Sequence, residues 1–253
     1  MRRAQGRRLD ALTLPPPQPS EIVRSVVRIL RSHTVRIVGL AALVFGTTAA
    51  LQALVEVKVV DGGFSSEVEA VARVATAVIG AFGLVFYAGL LDLVVGAHHR
   101  GEPDPTVREV IHRLPHGKLV VADVILVTIC GVLALFFVIP GIVALTFFCL
   151  IGPVIVTEQH TVIDAFRRSA RLVRPHFWMV LFLVVIPLLI EDQIMHGLDF
   201  NLIGTRVIDE FLVNAVIGAA VGSIVGLLEV VLAHEFRARD PLPDTAATTP
   251  TAA

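Results

Sequence analysis

HTVIDAFRRSARLVRPHFWMVLFLVVIP, residues 160–187, joins an arginine-studded segment directly to an apolar run. On a helix, Val162, Phe166, Ala170 and Val173 line one side, while Arg167, Arg171 and Arg174 fall four and three apart along another. Such a helix is expected to lie in a membrane interface, apolar side in acyl chains and guanidiniums among phosphates. Asp164 stands one turn before Arg168, as an i, i+4 ion pair requires. Phe177 and Trp178 suit the headgroup level, and a membrane span follows them.

The rest of the chain fits that reading. Of 253 residues, 55% are hydrophobic and 17% charged, whereas soluble domains are about a quarter charged. Apolar runs predict spans at 34–56, 68–97, 118–139, 141–157, 177–198 and 206–233. From Leu119 to Val156 the chain is almost uninterruptedly apolar. One helix of that length would reach about 57 Å, nearly twice the hydrocarbon thickness of about 30 Å. Pro140-Gly141 lies near its middle, so a hairpin turning there is expected. Pro187 predicts a short fifth span that ends near it, before Glu191 and Asp192; the alternative is that the helix continues and the two acids enter the outer part of the bilayer.

Six spans place the N-terminal segment, the loops 98–118 and 158–176 and the C-terminal tail on one side. Leaving out the four arginines of the far N-terminus, that side holds 14 Lys or Arg against 3 opposite. Both termini are therefore expected in the cytoplasm of a plasma (inner) membrane protein. The first apolar run begins too far from the N-terminal arginines for a secretory signal. Residues 1–19 and 238–253 read as disordered tails flanking one membrane domain, 20–237.

EIVRSVVRILRSH (21–33) aligns with DAFRRSARLVRPH (164–176) at an offset of 143. That register matches Glu21 with Asp164, Arg24 with Arg167, Arg28 with Arg171, Arg31 with Arg174 and His33 with His176. TVREVIHRLPHGK (106–118) is a weaker third copy, with Arg108 and His112 on one side and Val107, Val110, Ile111 and Leu114 apolar. The fold class expected is all-α: three units, about 20–97, 105–157 and 161–233, each an interfacial helix followed by a transmembrane hairpin. All three enter from one side, so the repeat is parallel, unlike the inverted repeats of many transporters.

PGIVALTFFCLIGPVIVTEQHTVIDAFRRSARLVRPHFWMV resembles the membrane domain that precedes the catalytic domain in some glycerophosphoryl diester phosphodiesterases, and related stand-alone bacterial membrane proteins. The likeness rests on Pro140-Gly141, Pro153, Val154, Val156, Glu158, Ala165, Arg167, Arg168, Ser169, Leu172 and Trp178. It implies a membrane fold. No segment is long and polar enough for the catalytic barrel, so the resemblance carries no activity with it.

Several residues invite a functional reading beside a plainer one. Asp92, Asp123 and Glu229 fall inside predicted spans, where ionisable groups are costly and mark sites or buried pairs. They could line an ion or substrate path, or separately meet arginines of the interfacial helices. Glu158, ending the fourth span, is a loop anchor that pairs with a neighbouring arginine or caps a helix, or else part of a site or switch. Gly218, Gly222 and Gly226 form a small-residue stripe, one step beyond Asn214, for packing within the chain or between two copies. Cys130 and Cys149 read as small packing residues. His98 and His99 are adjacent and point apart on a helix, and no metal-ligand spacing or catalytic motif is present.

The function expected is a non-enzymatic membrane scaffold or lipid-interacting module without cofactor or metal. Its partners would be membrane lipids, anionic ones included, contacted by Arg24, Arg28, Arg31, Arg108, Arg167, Arg171 and Arg174. The alternative is a transporter or channel using Asp92, Asp123 and Glu229. A lipid-acting enzyme with His98, His99, Asp92 or Glu158 as acid-base groups ranks last. Basic segments this poor in aromatics argue against nucleic acid.

Overall fold

The computed structural model describes residues 17–60, 83–99, 105–159, 161–191 and 207–240, together with 65, 68 and 193. Side chains at 56–60, 98–99, 107, 111, 134–136 and 207–214 are outside the description. Residues 1–16 and 241–253, most of 61–82, and 194–206 also lie outside it, and with them much of the expected tails, of the expected second span and of the ends of the expected fifth and sixth spans. All regular structure among the described residues is helical.

Helix α1 (Pro19–Val60) joins the segment expected at the interface to the first expected span. One non-helical residue, His33 (φ −129°, ψ 24°), separates the two parts. Ser32 and Thr34 hydroxyls bond back to the carbonyls of Ile29 and Leu30 and satisfy acceptors beside the kink. The second junction repeats this geometry. Helix α7 (Val162–Val173) passes through a 3₁₀ turn, Arg174–His176, into α8 (Phe177–Val180), and His176 stands at φ −123°, ψ 23°. The two histidines matched by sequence thus share one backbone conformation.

Between these junctions run α2 (Leu84–His99), α3 (Val107–Arg113), α4 (His116–Phe136), α5 (Val138–Phe148) and α6 (Ile151–Glu158). The last long helix is α9 (Val207–Arg239). Five helical stretches are long and apolar enough to cross a membrane: Pro19–Val55, His116–Leu133, Val138–Glu158, Val162–Glu191 and Ala215–Arg239. Leu84–Ala97 is a shorter apolar helix, within the predicted second span.

Three sequence expectations need correction. The hairpin between spans three and four does not turn at Pro140-Gly141. It breaks at Phe137, extended at φ −155°, ψ 125°, and Pro140 occupies the first turn of α5. A helix's first turn has no intrahelical use for that N–H, so proline there starts the helix instead of ending one. The fifth span does not stop before Pro187 either. Its helix widens into a π turn over Leu181–Val185, with Ile186 N–H bonded to Leu181 O, and helix continues through 186–191. Proline cannot donate to the carbonyl four residues back, and the wider turn absorbs the mismatch.

The third correction concerns α7. Its buried residues are Ala165, Arg168, Ser169, Leu172 and Val173, whereas Val162, Phe166 and Ala170 of the expected apolar row are only partly buried. This buried face packs against α5, α6 and α9, and Val162, Phe166 and Ala170 stand partly exposed beside it. Ser169 donates its hydroxyl to Phe147 O at 2.8 Å, near the break between α5 and α6. Asp164 does not pair with Arg168. It lies 4.0 Å from the exposed Arg167, while its N–H and carboxylate engage the Thr161 hydroxyl.

That Thr161 cap has a counterpart at α3. Thr106 N–H donates to Glu109 and the Glu109 N–H donates back to the Thr106 hydroxyl, a reciprocal box. The Thr106 N–H and O–H hold the Glu109 carboxyl below its ordinary range. The box therefore stands at neutral pH and loosens only as pH falls through that depressed value. Removing the other cap, Thr161→Ala, should destabilise by about 1 kcal/mol, read as a lower melting midpoint of the detergent-purified protein.

Candidate functional site

Asp92 is the starting point. On α2, Val85, Ala88, Asp92 and Val95 share a buried face, so the carboxylate points where apolar neighbours point. A buried carboxylate needs hydrogen bonds or countercharge. Thr157, near the end of α6, donates its hydroxyl to Asp92 Oδ2. From α9, His234 Nε2 lies 3.0 Å from Oδ1 and Arg237 Nη1 3.8 Å from it. His234 and Arg237 are three residues apart and so face the same way.

Arg237 continues the chain of charges. Its Nε lies 3.6 Å from Glu158 Oε1. Glu158 in turn takes the Nε of Arg168 on both oxygens, at 3.3 and 3.2 Å. The same guanidinium places Nη1 2.6 Å from Asp240 Oδ2 and donates Nη2 to the Asp240 main-chain oxygen. Arg168 and Glu158 side chains are 4% and 7% exposed, and Asp240 is 52% exposed. The result is an alternating row, Asp92, Arg237, Glu158, Arg168, Asp240, that ties α2, α6, α7 and α9 at the end carrying the exposed arginine rows. Arg237 makes charge contacts only; its buried nitrogens donate no hydrogen bond to a described group.

The other two acids of the expected spans are also buried. Asp123 is fully buried on α4 and accepts the N–H groups of Gly83 (2.8 Å) and Val85 (3.4 Å), at the start of α2. Gly83 has φ +105°, which a glycine adopts at no steric cost. Glu229, on α9, is 4% exposed. Asp92 is seven residues beyond Val85 on α2, or about 10 Å along the axis. Asp92, in the ionic row, and Asp123, at the opposite end of α2, therefore lie at different levels.

Arg24, Arg28, Arg31, Arg108, Arg167, Arg171 and Arg174 are all exposed. Behind the first three, Ile22, Val26 and Ile29 are buried; behind the last three, Ala165, Leu172 and Val173. Two surface cavities open at the same end. One of about 150 Å³ is lined by Arg171, His176, Arg239 and Asp240 with Leu172, Pro175 and Phe236. The other, about 240 Å³, is lined by Arg113, Lys118 and Gln159 with Pro115, Ile155 and Val156.

The glycine stripe of α9 is filled from within the chain. A side chain at Gly222 would meet the Phe45 ring, and one at Gly226 the Tyr87 ring; Gly218 also faces Phe45. Phe45 and Tyr87 meet edge to face, and the Tyr87 hydroxyl donates to Ile37 O and to Ser223. Cys149 is buried and Cys130 half-buried. The side chains of His98, His99 and Asn214 lie outside the described residues. Among the described residues, no group of three or more His, Cys, Asp or Glu is placed to hold a metal ion.

Sequence reading passed over Arg168, His234, Arg237 and Asp240 as members of a site. For Arg168 a signal existed. It sits one position off the exposed stripe of Arg167, Arg171 and Arg174, in line with Ala165, Ser169 and Leu172. An arginine on the small-residue face of an amphipathic helix must find a buried acid.

Comparison of the chain with protein-family models, with curated proteins and with solved structures gave no match in any of the three.

Proposed function

We propose that this helical membrane protein is a non-enzymatic module that gathers anionic lipid headgroups at the cytoplasmic leaflet. The observation carrying this reading is the pairing of exposed and buried faces on the interfacial helices. Arg24, Arg28, Arg31, Arg167, Arg171 and Arg174 stand exposed on helices whose opposite faces are packed into the bundle. The arginine Cα positions are thus held in fixed rows, and both surface cavities at that end are lined by basic residues. Each basic group near an anionic surface contributes about 1 kcal/mol before salt screening. The matched kinks at His33 and His176 support two equivalent units, with residues 105–157 as the third.

The likeness of residues 140–178 to phosphodiesterase membrane domains fits this proposal. Glu158, Ala165, Arg168, Ser169 and Leu172, among the residues that carry it, are those that fasten α7 to the bundle. The transporter reading draws less support, because Asp92 is engaged by Thr157, His234 and Arg237, at a level apart from Asp123.

The test is lipid retention. Arg24, Arg28 and Arg31 replaced together by glutamine, and Arg167, Arg171 and Arg174 likewise, should each cut the anionic phospholipid that co-purifies in mild detergent. Three lost charges at low salt correspond to roughly tenfold or more weaker retention after screening. Zwitterionic lipid should be unaffected. Equal anionic lipid on wild type and both variants at low salt would remove the proposal.

A further inference from the structure

We propose, resting on the lipid reading above, that the two surface cavities are equivalent seats, each holding one phosphate group. Both are built from the same places of two repeated units. Within the windows 106–118 and 164–176, Arg113 and Arg171 hold the eighth position, and Lys118 and His176 the last. Arg113 and Lys118 line one cavity; Arg171 and His176 line the other. A buried leucine, Leu114 or Leu172, follows each arginine and packs that helix end into the bundle. The remaining wall comes in both cases from the end of a returning helix. Gln159 stands just past the end of α6, four residues beyond the buried Ile155. Asp240 stands just past the end of α9, four residues beyond the buried Phe236.

The chemistry of the walls selects the ligand. The α3–α6 cavity is lined by two cations and no acid. Lys118 Nζ donates to the Gln159 main-chain oxygen at 3.4 Å, which draws its ammonium toward the far wall. Glu109, one turn before Arg113, is bonded to Thr106 and does not line the cavity. In the α7–α9 cavity Arg171, His176 and Arg239 stand with one acid, Asp240, whose side chain and main-chain oxygen are taken by Arg168. Arg239 bonds Glu235 on its own helix. His176 stacks on Phe236 with ring centroids 4.6 Å apart, and even a neutral imidazole keeps one N–H to donate. Guanidinium and ammonium groups gathered in this way bind phosphate oxygens through charge-assisted hydrogen bonds. The rest of each wall is apolar: Pro115, Ile155 and Val156 in one, Leu172, Pro175 and Phe236 in the other. A bare ion gains nothing from such a wall, whereas a phosphate ester lays carbon against it. Size agrees, since a water takes about 30 Å³ of the liquid and the smaller cavity, about 150 Å³, exceeds the space of a phosphate's four oxygens.

The experiment titrates the full chain, freed of native lipid in mild detergent, with phosphatidic acid at low salt and counts bound lipid by native mass spectrometry. Arg113→Gln and Lys118→Gln together should weaken the uptake of one lipid by roughly tenfold or more, and Arg239→Gln that of another. The three changes combined should remove both. Arg113→Lys with Lys118→Arg keeps the charges and should keep the uptake, which a merely structural role would not foretell. None of these residues belongs to the exposed arginine rows. Cavity variants that retain phosphatidic acid like wild type, while the row variants lose it, overturn the seats and leave the lipid reading intact. Loss from the cavity variants with none from the row variants does the reverse. A wild type that takes up no phosphatidic acid overturns both. Inorganic phosphate and glycerol 3-phosphate, added without lipid, identify the source. A headgroup seat predicts that phosphatidic acid raises the melting midpoint and these two do not. A seat for soluble phosphate predicts that they raise it equally, in wild type and not in the combined variant. Either pattern supports phosphate binding in the cavities.

Discussion

Replacing Arg168 with methionine should remove most of the folded protein from detergent extracts and lower the melting midpoint of what remains. The guanidinium is 4% exposed and serves both oxygens of Glu158, itself 7% exposed, and the side chain and main chain of Asp240. Deleting one partner of a buried pair leaves the other's charge desolvated, which costs about 3–5 kcal/mol. The Asp240 limb contributes little of this, because an acid half exposed to solvent is screened.

Controls separate this account from a general intolerance of α7. Arg167→Met changes the same residue type one position away, but Arg167 is 75% exposed; its effect should stay within about 0.5 kcal/mol. Arg168→Lys should recover only part of the loss, since an ammonium cannot present a planar fork to two acids at once. Combining Arg168→Gln with Glu158→Gln should cost less than the two single changes summed, with a coupling of about 0.5–3 kcal/mol. Size-exclusion profiles and melting midpoints measure all four. An Arg168→Met protein as stable as Arg167→Met would show that the ionic row holds nothing together.

How far the sequence foretells these features depends on what each one needs. Apolar runs of spanning length and arginines three and four apart are properties of composition and period, and both read directly. The matched histidines, His33 and His176, could be aligned in sequence, although only the backbone shows that both are kinks. The turn at Phe137 was not legible. A phenylalanine in an apolar run carries no turn signal, and a proline three residues later marks a helix's first turn as well as its end. The π turn before Pro187 is hidden for a related reason: in an apolar helix a proline can be accommodated by local widening as well as by termination. The site was half legible. Asp92, Asp123, Glu229 and Glu158 announce themselves as acids among apolar residues. Their partners come from helices distant in sequence, and which acid meets which base is set by helix crossings that one-dimensional pattern does not encode.

One such crossing yields the second large effect. Gly152→Ala should cost as much as overpacking in a rigid core does, about 1–3 kcal/mol or more. A Cβ at Gly152 would lie 2.3 Å from the carbonyl oxygen of Val85 and 3.1 Å from the N–H nitrogen of Gly89, with the Ala88 methyl 3.2 Å away. It would wedge into the backbone of α2 at a carbonyl and an amide four residues apart, where no rotamer change can make room. Pushing α2 away from α6 would also draw Asp92 away from the Thr157 hydroxyl and loosen the ionic row at its α2 end. Gly89→Ala should be milder, since its nearest contacts are the ends of Val156 and Leu119 side chains at 3.1 and 3.2 Å. Gly131→Ala, in α4 with nothing within 4 Å, should be neutral or stabilising by up to about 1 kcal/mol through the unfolded chain's lost freedom. The same chemical change at three glycines should thus give melting midpoints in the order Gly131→Ala, Gly89→Ala, Gly152→Ala, highest first. If Gly152→Ala melts with Gly131→Ala, the α2 and α6 backbones do not cross in contact, and the placement of Asp92 beside Thr157 falls with that crossing.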